Sequence, residues 1–342
     1  MYNRFESGFE KYDTDGNVDQ QASIDHMISL LEKRNHKKYS WFLKSLVKVK
    51  QILRILLVSH LSDRCKILYL TYFALRWLDD IIDGDSPITM STKQRHDLIQ
   101  DKVTWLKEGD RKNWWRNTDD LFDSLVRDVF SIAERIWILK HVKQWIYTIT
   151  ESLVFDAQRI LEWEQTGSIV IKTEKKLQDN FHKLDIDGTI RATAILVGLN
   201  PEEAIAILWP LGDAARYAYT LMDFLDDMKG GLDNISQEDM LKYDISYEDL
   251  QATQQCTSMN DLPLSIIHWC EYMISEIDYN MAYYYENKKS AIISLSYSKN
   301  SLLQYLYNKV LHSLILPKGY IEEINDVKKG IMQILENRIY TT

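Results

Sequence analysis

Tyr72, Arg76, Asp79 and Asp83 recur at spacings of four, three and four residues inside an apolar stretch, YFALRWLDDIID. On a helix these four share a face, while Leu75, Leu78 and Ile82 fall on the packing side. Two carboxylates one turn apart repel each other unless a cation lies between them. Asp79 and Asp83, with Asp80 beside them, therefore read as oxygen ligands for a divalent metal. A second acidic pair, Asp223 and Asp227, stands one turn apart in YTLMDFLDD, on a helix whose other side would be Leu211, Ala215, Met222 and Leu225. Two such helices facing each other across a bundle would set four carboxylates around one cavity. Magnesium takes a few carboxylates and completes its shell with phosphate oxygens and water, so the two walls suit several Mg2+ ions holding a diphosphate. The metals would neutralise the charge that builds up as a carbon–oxygen bond to the diphosphate breaks. Arg76, on the same face, adds a cationic donor for phosphate. The allylic cation left behind must be shielded from water by an apolar, aromatic-lined cavity.

Long helices must carry these residues. The chain has 342 residues with only 12 glycines and 5 prolines, well under half of the average usage of about 12% for the two together. That scarcity excludes an all-β sandwich and a disordered chain. Residues 1–21 read as a polar tail, and 22–342 as a single all-α domain, a bundle of ten or more helices around a central apolar cavity. Turn signals are sparse: Gly84 to Pro87, Gly109-Asp110, Gly198 to Pro201, Gly230-Gly231 and Leu316 to Gly319. Asn200-Pro201-Glu202-Glu203 reads as a helix start, with a cap, a first-turn proline and two acids suited to the helix dipole. The Asp13 to Asn17 run fails as a calcium loop, because Val18 and Ile24 stand where glycine and a bidentate glutamate are needed.

The formal charge of −9 argues against a nucleic-acid partner. Cys65, Cys256 and Cys270 are too few and too scattered for a disulfide framework or a zinc site. No apolar secretory segment and no 18-residue apolar run is visible, nor a membrane anchor in Lys318–Thr342. A reduced, soluble, cytoplasmic protein is expected. Residues 32–66 carry ten lysines and arginines against Glu32 and Asp63. A solvated basic face is the plain reading; contact with an anionic substrate, or transient contact with a membrane surface, is the functional one.

With these residues in view, the chain resembles the squalene/phytoene synthase family. Tyr72 to Asp83 is similar to the family's first aspartate-rich motif, including its tyrosine and arginine. Leu211-Gly212 through Asp223 and Asp227 follows the second motif, and the runs Ile235 to Met240 and Ile245 to Leu250 follow what comes after it. The likeness extends over residues 36 to 315. It implies an isoprenoid-synthase helical fold, Mg2+, and farnesyl or geranylgeranyl diphosphate as substrate. It further implies catalytic roles for Tyr72 and Arg76 and a substrate contact for Arg76; Arg216 and Tyr219, on the second acidic helix, are candidate substrate contacts beside it. His36 to Phe42 is similar to the family's phosphate-binding entry and adds Lys38 and Ser40 to the substrate-binding set. The chain departs from the pattern at Arg216, Tyr219 and Met222, where the family has glutamine, asparagine and arginine. Thr189 to Gly198 lacks the family's tyrosines, and Leu232 stands where an arginine is expected.

The expected function is Mg2+-dependent ionisation of an allylic prenyl diphosphate, followed by head-to-head coupling to a squalene- or phytoene-type product. The alternatives are cyclisation or quenching of a single substrate, or prenyl transfer to another acceptor. A helical scaffold with relic acids is the non-catalytic alternative. NADPH is not indicated, and no residue pattern sets the oligomeric state.

Overall fold

A computed structural model of the chain describes residues 61–84, 89–108, 121–197 and 199–288, with single positions at 329 and 333. The tail 1–21, most of the basic stretch 32–66, and Lys38 and Ser40 lie outside the described residues. All described residues belong to the unit Leu57–Thr342. Helix takes up 85% of them and no strand occurs among them, so this part of the chain is all-α.

The first acid-bearing stretch forms α1, Leu61–Asp83. Ile67, Ala74, Leu75, Leu78 and Ile82 are buried, at the three- and four-residue spacing of one helix side. Full burial of each large aliphatic side chain stabilises by about 1.5–3 kcal/mol. That packing fixes the rotation of α1, and with it the direction in which Arg76 and Asp79 leave the helix. Helix α1 packs on α3, Leu121–Arg135, and α4, Leu139–Thr166, while α2, Thr92–Glu108, lies along α4. One apolar core joins these helices, with Ile99, Phe122, Phe130, Trp145 and Leu153 among its members. Within it, Lys102 of α2 and Asp123 of α3 form a buried ion pair at 2.9 Å.

Beyond α4 the chain forms α5, Glu174–Phe181, a π-helical stretch His182–Ile190, and α6, Arg191–Val197. In the wide turns, the Thr189 hydroxyl donates to the carbonyl of Leu184, five residues back, at 3.2 Å. Gly188 leaves no room for a β-carbon, which would fall 2.6 Å from Ile149 of α4.

The second acid-bearing helix is α7, Pro201–Lys229. It starts as the sequence reading expects: the Asn200 side chain accepts from the Glu202 N–H at 3.0 Å, Pro201 takes the first turn, and Glu202 and Glu203 face the helix dipole. Leu208, Leu211 and Ala215 are buried in a cluster with Ile186, Ile190 and Tyr284. Farther along, Phe224 stacks near Trp269 of α10, Leu264–Tyr283, with ring centroids 5.3 Å apart. Because the two halves of α7 have different partners, the buried side moves round the helix to Leu221, Phe224 and Met228. This corrects the expected packing face at one position: Met222 is exposed.

Helix α7 ends at the Gly230-Gly231 turn. Gly231 has φ +81°, and a β-carbon there would lie 2.6 Å from the ring of Trp163 on α4. Only glycine lets the chain pass that close with a left-handed backbone, so this contact sets the distance between α4 and the segment after α7. Two short helices follow, α8 (Gln237–Tyr243) and α9 (Tyr247–Gln255). Each opens with a capping box, Ser236 with Asp239 and Ser246 with Asp249. No helix among the described residues is long and apolar enough to cross a membrane. Cys256 and Cys270 are buried free thiols.

Candidate active site

On α1, Tyr72 and Arg76 are half-buried, Asp79 is half-buried, Asp80 is buried and Asp83 is exposed at the helix end. Arg76 grips both neighbouring acids, Asp79 through Nη1 and Asp80 through Nη2 at 2.9 Å. The end of α1 is held by Arg95, whose guanidinium donates to the carbonyls of Ile82 and Met90, both at 3.2 Å. On α7, Asp223 and Asp227 are half-buried and Asp226 is exposed. Asp227 Oδ2 accepts a hydrogen bond from Asn234 Nδ2 at 3.1 Å.

The electrostatics tie the two helices together. Burial pushes the Asp79 carboxyl above its ordinary value; Arg76 opposes, and the charges of Asp80, Asp156 and Asp223 push it further up. Asp227 is pushed up to about 7, first by desolvation, then by Asp223 and Asp156, against Arg216 and Arg159. Asp223 on α7 therefore acts on Asp79 of α1 as well as on Asp227 of its own helix. Of the acids singled out in the sequence, Asp79, Asp80, Asp223 and Asp227 share one electrostatic neighbourhood. Asp83 is exposed at the end of α1.

Asp156, which the sequence reading passed over, belongs to the same neighbourhood from α4. Its signal was an acid set in the run SLVFDAQRI, where Leu153 and Ala157 are buried. Its partner is Arg159, whose Nη1 lies 3.1 Å from Asp156 Oδ1. The sequence reading missed Arg159 as well, because a lone arginine on a helix is ordinarily solvated.

Arg216 lies over the ring of Phe181, 3.8 Å from its centroid, while its charge still reaches Asp227. Tyr219 packs against the cluster of Ile186, Ile190 and Leu211. Arg191, in the stretch that departs from the family pattern, bonds Asp187 at 2.8 Å and Glu202 at 2.7 Å. It thereby ties the π-helical stretch to the start of α7.

Among the described residues, no three His, Cys, Asp or Glu side chains converge into a ready-made metal cage. Magnesium asks for less than a cage, since it takes one or two carboxylates and fills its shell with substrate oxygens and water. The donors present are hard oxygens, held above the ordinary carboxylate range at Asp79 and Asp227 first by burial and then by repulsion from neighbouring carboxylates. A bound divalent cation would relieve that repulsion, so the donor set fits magnesium. Comparison with models of known protein families finds no match for this chain, and comparison with curated proteins finds none.

Proposed function

We propose that this protein is a Mg2+-dependent enzyme that ionises an allylic prenyl diphosphate, farnesyl or geranylgeranyl, and couples two such units head to head. One observation carries the reading: Asp79 on α1, and Asp223 with Asp227 on α7, lie within electrostatic reach of one another, with positive charge from Arg76 acting on Asp79 and from Arg216 on Asp227. Magnesium, when bound, supplies charge neutralisation to the departing diphosphate. In this reading Asp79, Asp80 and Asp83 hold it from one side and Asp223 and Asp227 from the other. Arg76, already fixed between two carboxylates, adds positive charge where the leaving oxygen gains negative charge. Tyr72, one turn before Arg76, borders the same face.

A second outcome, one substrate cyclised or quenched, is favoured by Tyr219 and Arg191. Tyr219 is committed to an apolar cluster and Arg191 to two carboxylates. These are positions where the sequence departs from the family it resembles. Purified protein with C10, C15 and C20 prenyl diphosphates and MgCl2 separates the outcomes, by released diphosphate and by gas chromatography–mass spectrometry. Coupling gives a product with twice the carbon count of its substrate, and cyclisation gives the same count. Loss of release on chelation, and in Asp79→Asn and Asp223→Asn, is expected. No diphosphate release at any chain length, with or without Mg2+, refutes the assignment.

A further inference from the structure

Arg159 is the most deeply buried cation near the acids, with 2% of its surface exposed. Its guanidinium lies over the ring of Phe155, 5.5 Å from the centroid, and makes three polar contacts. Nη1 meets Asp156 Oδ1 at 3.1 Å on its own helix. Nη2 donates to the backbone carbonyl of Asp233 and to Asn234 Oδ1, the latter at 3.1 Å. The same Asn234 side chain uses its Nδ2 to donate to Asp227 Oδ2, also at 3.1 Å.

The donor and acceptor roles in this relay are fixed by chemistry. A guanidinium only donates and a carboxylate oxygen only accepts, so an amide between them can sit just one way round. Oxygen faces Arg159 and nitrogen faces Asp227. Turning the amide over would set donor against donor on one side and acceptor against acceptor on the other. Arg159 thus dictates the orientation of Asn234, and Asn234 presents a donor to one oxygen of Asp227. The Asp233 side chain locks the same bend, because its Oδ1 accepts the Ile235 N–H at 2.9 Å.

We infer that Arg159 is a positioning residue for the acidic site: from α4 it locks the Asp233-Asn234 segment, and through Asn234 it aims the Asp227 carboxylate. The inference rests on the proposed metal role of Asp227. A buried arginine that only glued α4 to the following segment would stabilise the fold without affecting the site. The relay to Asp227 distinguishes the two roles.

The test uses the full-length protein, Mn2+ as the metal probe with inorganic diphosphate, and free Mn2+ read by electron paramagnetic resonance. Arg159→Lys keeps the charge but loses the planar fork. Asn234→Ala removes the relay and leaves the bond to the Asp233 carbonyl, so it serves if the lysine variant folds poorly. Each is expected to weaken Mn2+ binding by about 10- to 100-fold, the usual effect of losing a residue that orients a ligand. Because the two act in series, the double variant should be no weaker than the worse single one. Amide exchange across residues 231–236 should rise about tenfold in Arg159→Lys, since charge-assisted bonds are lost. Unchanged exchange in that segment overturns the inference, as does wild-type-like Mn2+ binding in both variants, or simple addition of their effects. If the wild type itself binds no Mn2+ in the presence of diphosphate, the functional reading falls, and this inference falls with it.

Discussion

Replacing Asp227 by asparagine should make the protein more stable in alkali while abolishing the proposed diphosphate release. Burial, with Asp223 beside it, pushes the Asp227 carboxyl from its ordinary 3.8 to about 7. The folded chain therefore keeps this proton over a range in which the unfolded chain has already lost it. The stability that Asp227 contributes is whole below 3.8 and drains away as pH rises through about 7. Integrated over that window, roughly 4 kcal/mol is lost by about pH 8.5, most of it above about pH 5. The Asp227→Asn variant would carry no such penalty, and its new side-chain oxygen can still accept from Asn234. Urea denaturation in the presence of a chelator, at about pH 5 and about pH 8.5, should show the variant gaining roughly 2–3 kcal/mol on the wild type between the two. Adding MgCl2 with inorganic diphosphate should restore the wild type at the higher pH and leave the variant unmoved, because the metal occupies the charge that the variant lacks. Parallel pH profiles for the two proteins would show that Asp227 is neither desolvated nor crowded by other acids, and the electrostatic case for the site would be lost.

Three further outcomes concern the frame around the site. Gly231→Ala should cost about 2–4 kcal/mol in urea denaturation, from a left-handed alanine and a β-carbon driven into Trp163. Lys102→Met should cost about 3–5 kcal/mol by leaving Asp123 charged and buried, and the double variant with Asp123→Leu should recover most of it. Ser246→Ala removes one capping box and should lower stability by about 1 kcal/mol, with diphosphate release unchanged.

Spacing alone made both acid-bearing helices legible. The four-three-four rhythm of Tyr72 to Asp83 placed Leu75, Leu78 and Ile82 in the core, where they are. Asn200-Pro201 marked the start of α7. The runs after the second acidic pair carried part of the family likeness, yet Ser236 with Asp239 and Ser246 with Asp249 do a plainer job as helix caps. Any chain that starts two short helices there would have reason to keep such residues. Asp156 and Arg159 were not legible, because their meaning depends on which helices α4 meets. A single-helix stripe likewise could not tell that α7 changes partners midway, which is why Met222 was assigned to the wrong side.

The π-helical stretch His182–Ile190 has a consequence for how this protein tolerates changes in length. Wide turns hold one residue more than an α-helix of the same rise. Deleting a residue from an ordinary helix swings everything beyond it by about 100°. Here a deletion can be absorbed by tightening the coil, with α6 and α7 keeping their phase. A single deletion in this segment should therefore be one the molecule survives, and a chain one residue shorter could share the same register on either side of it.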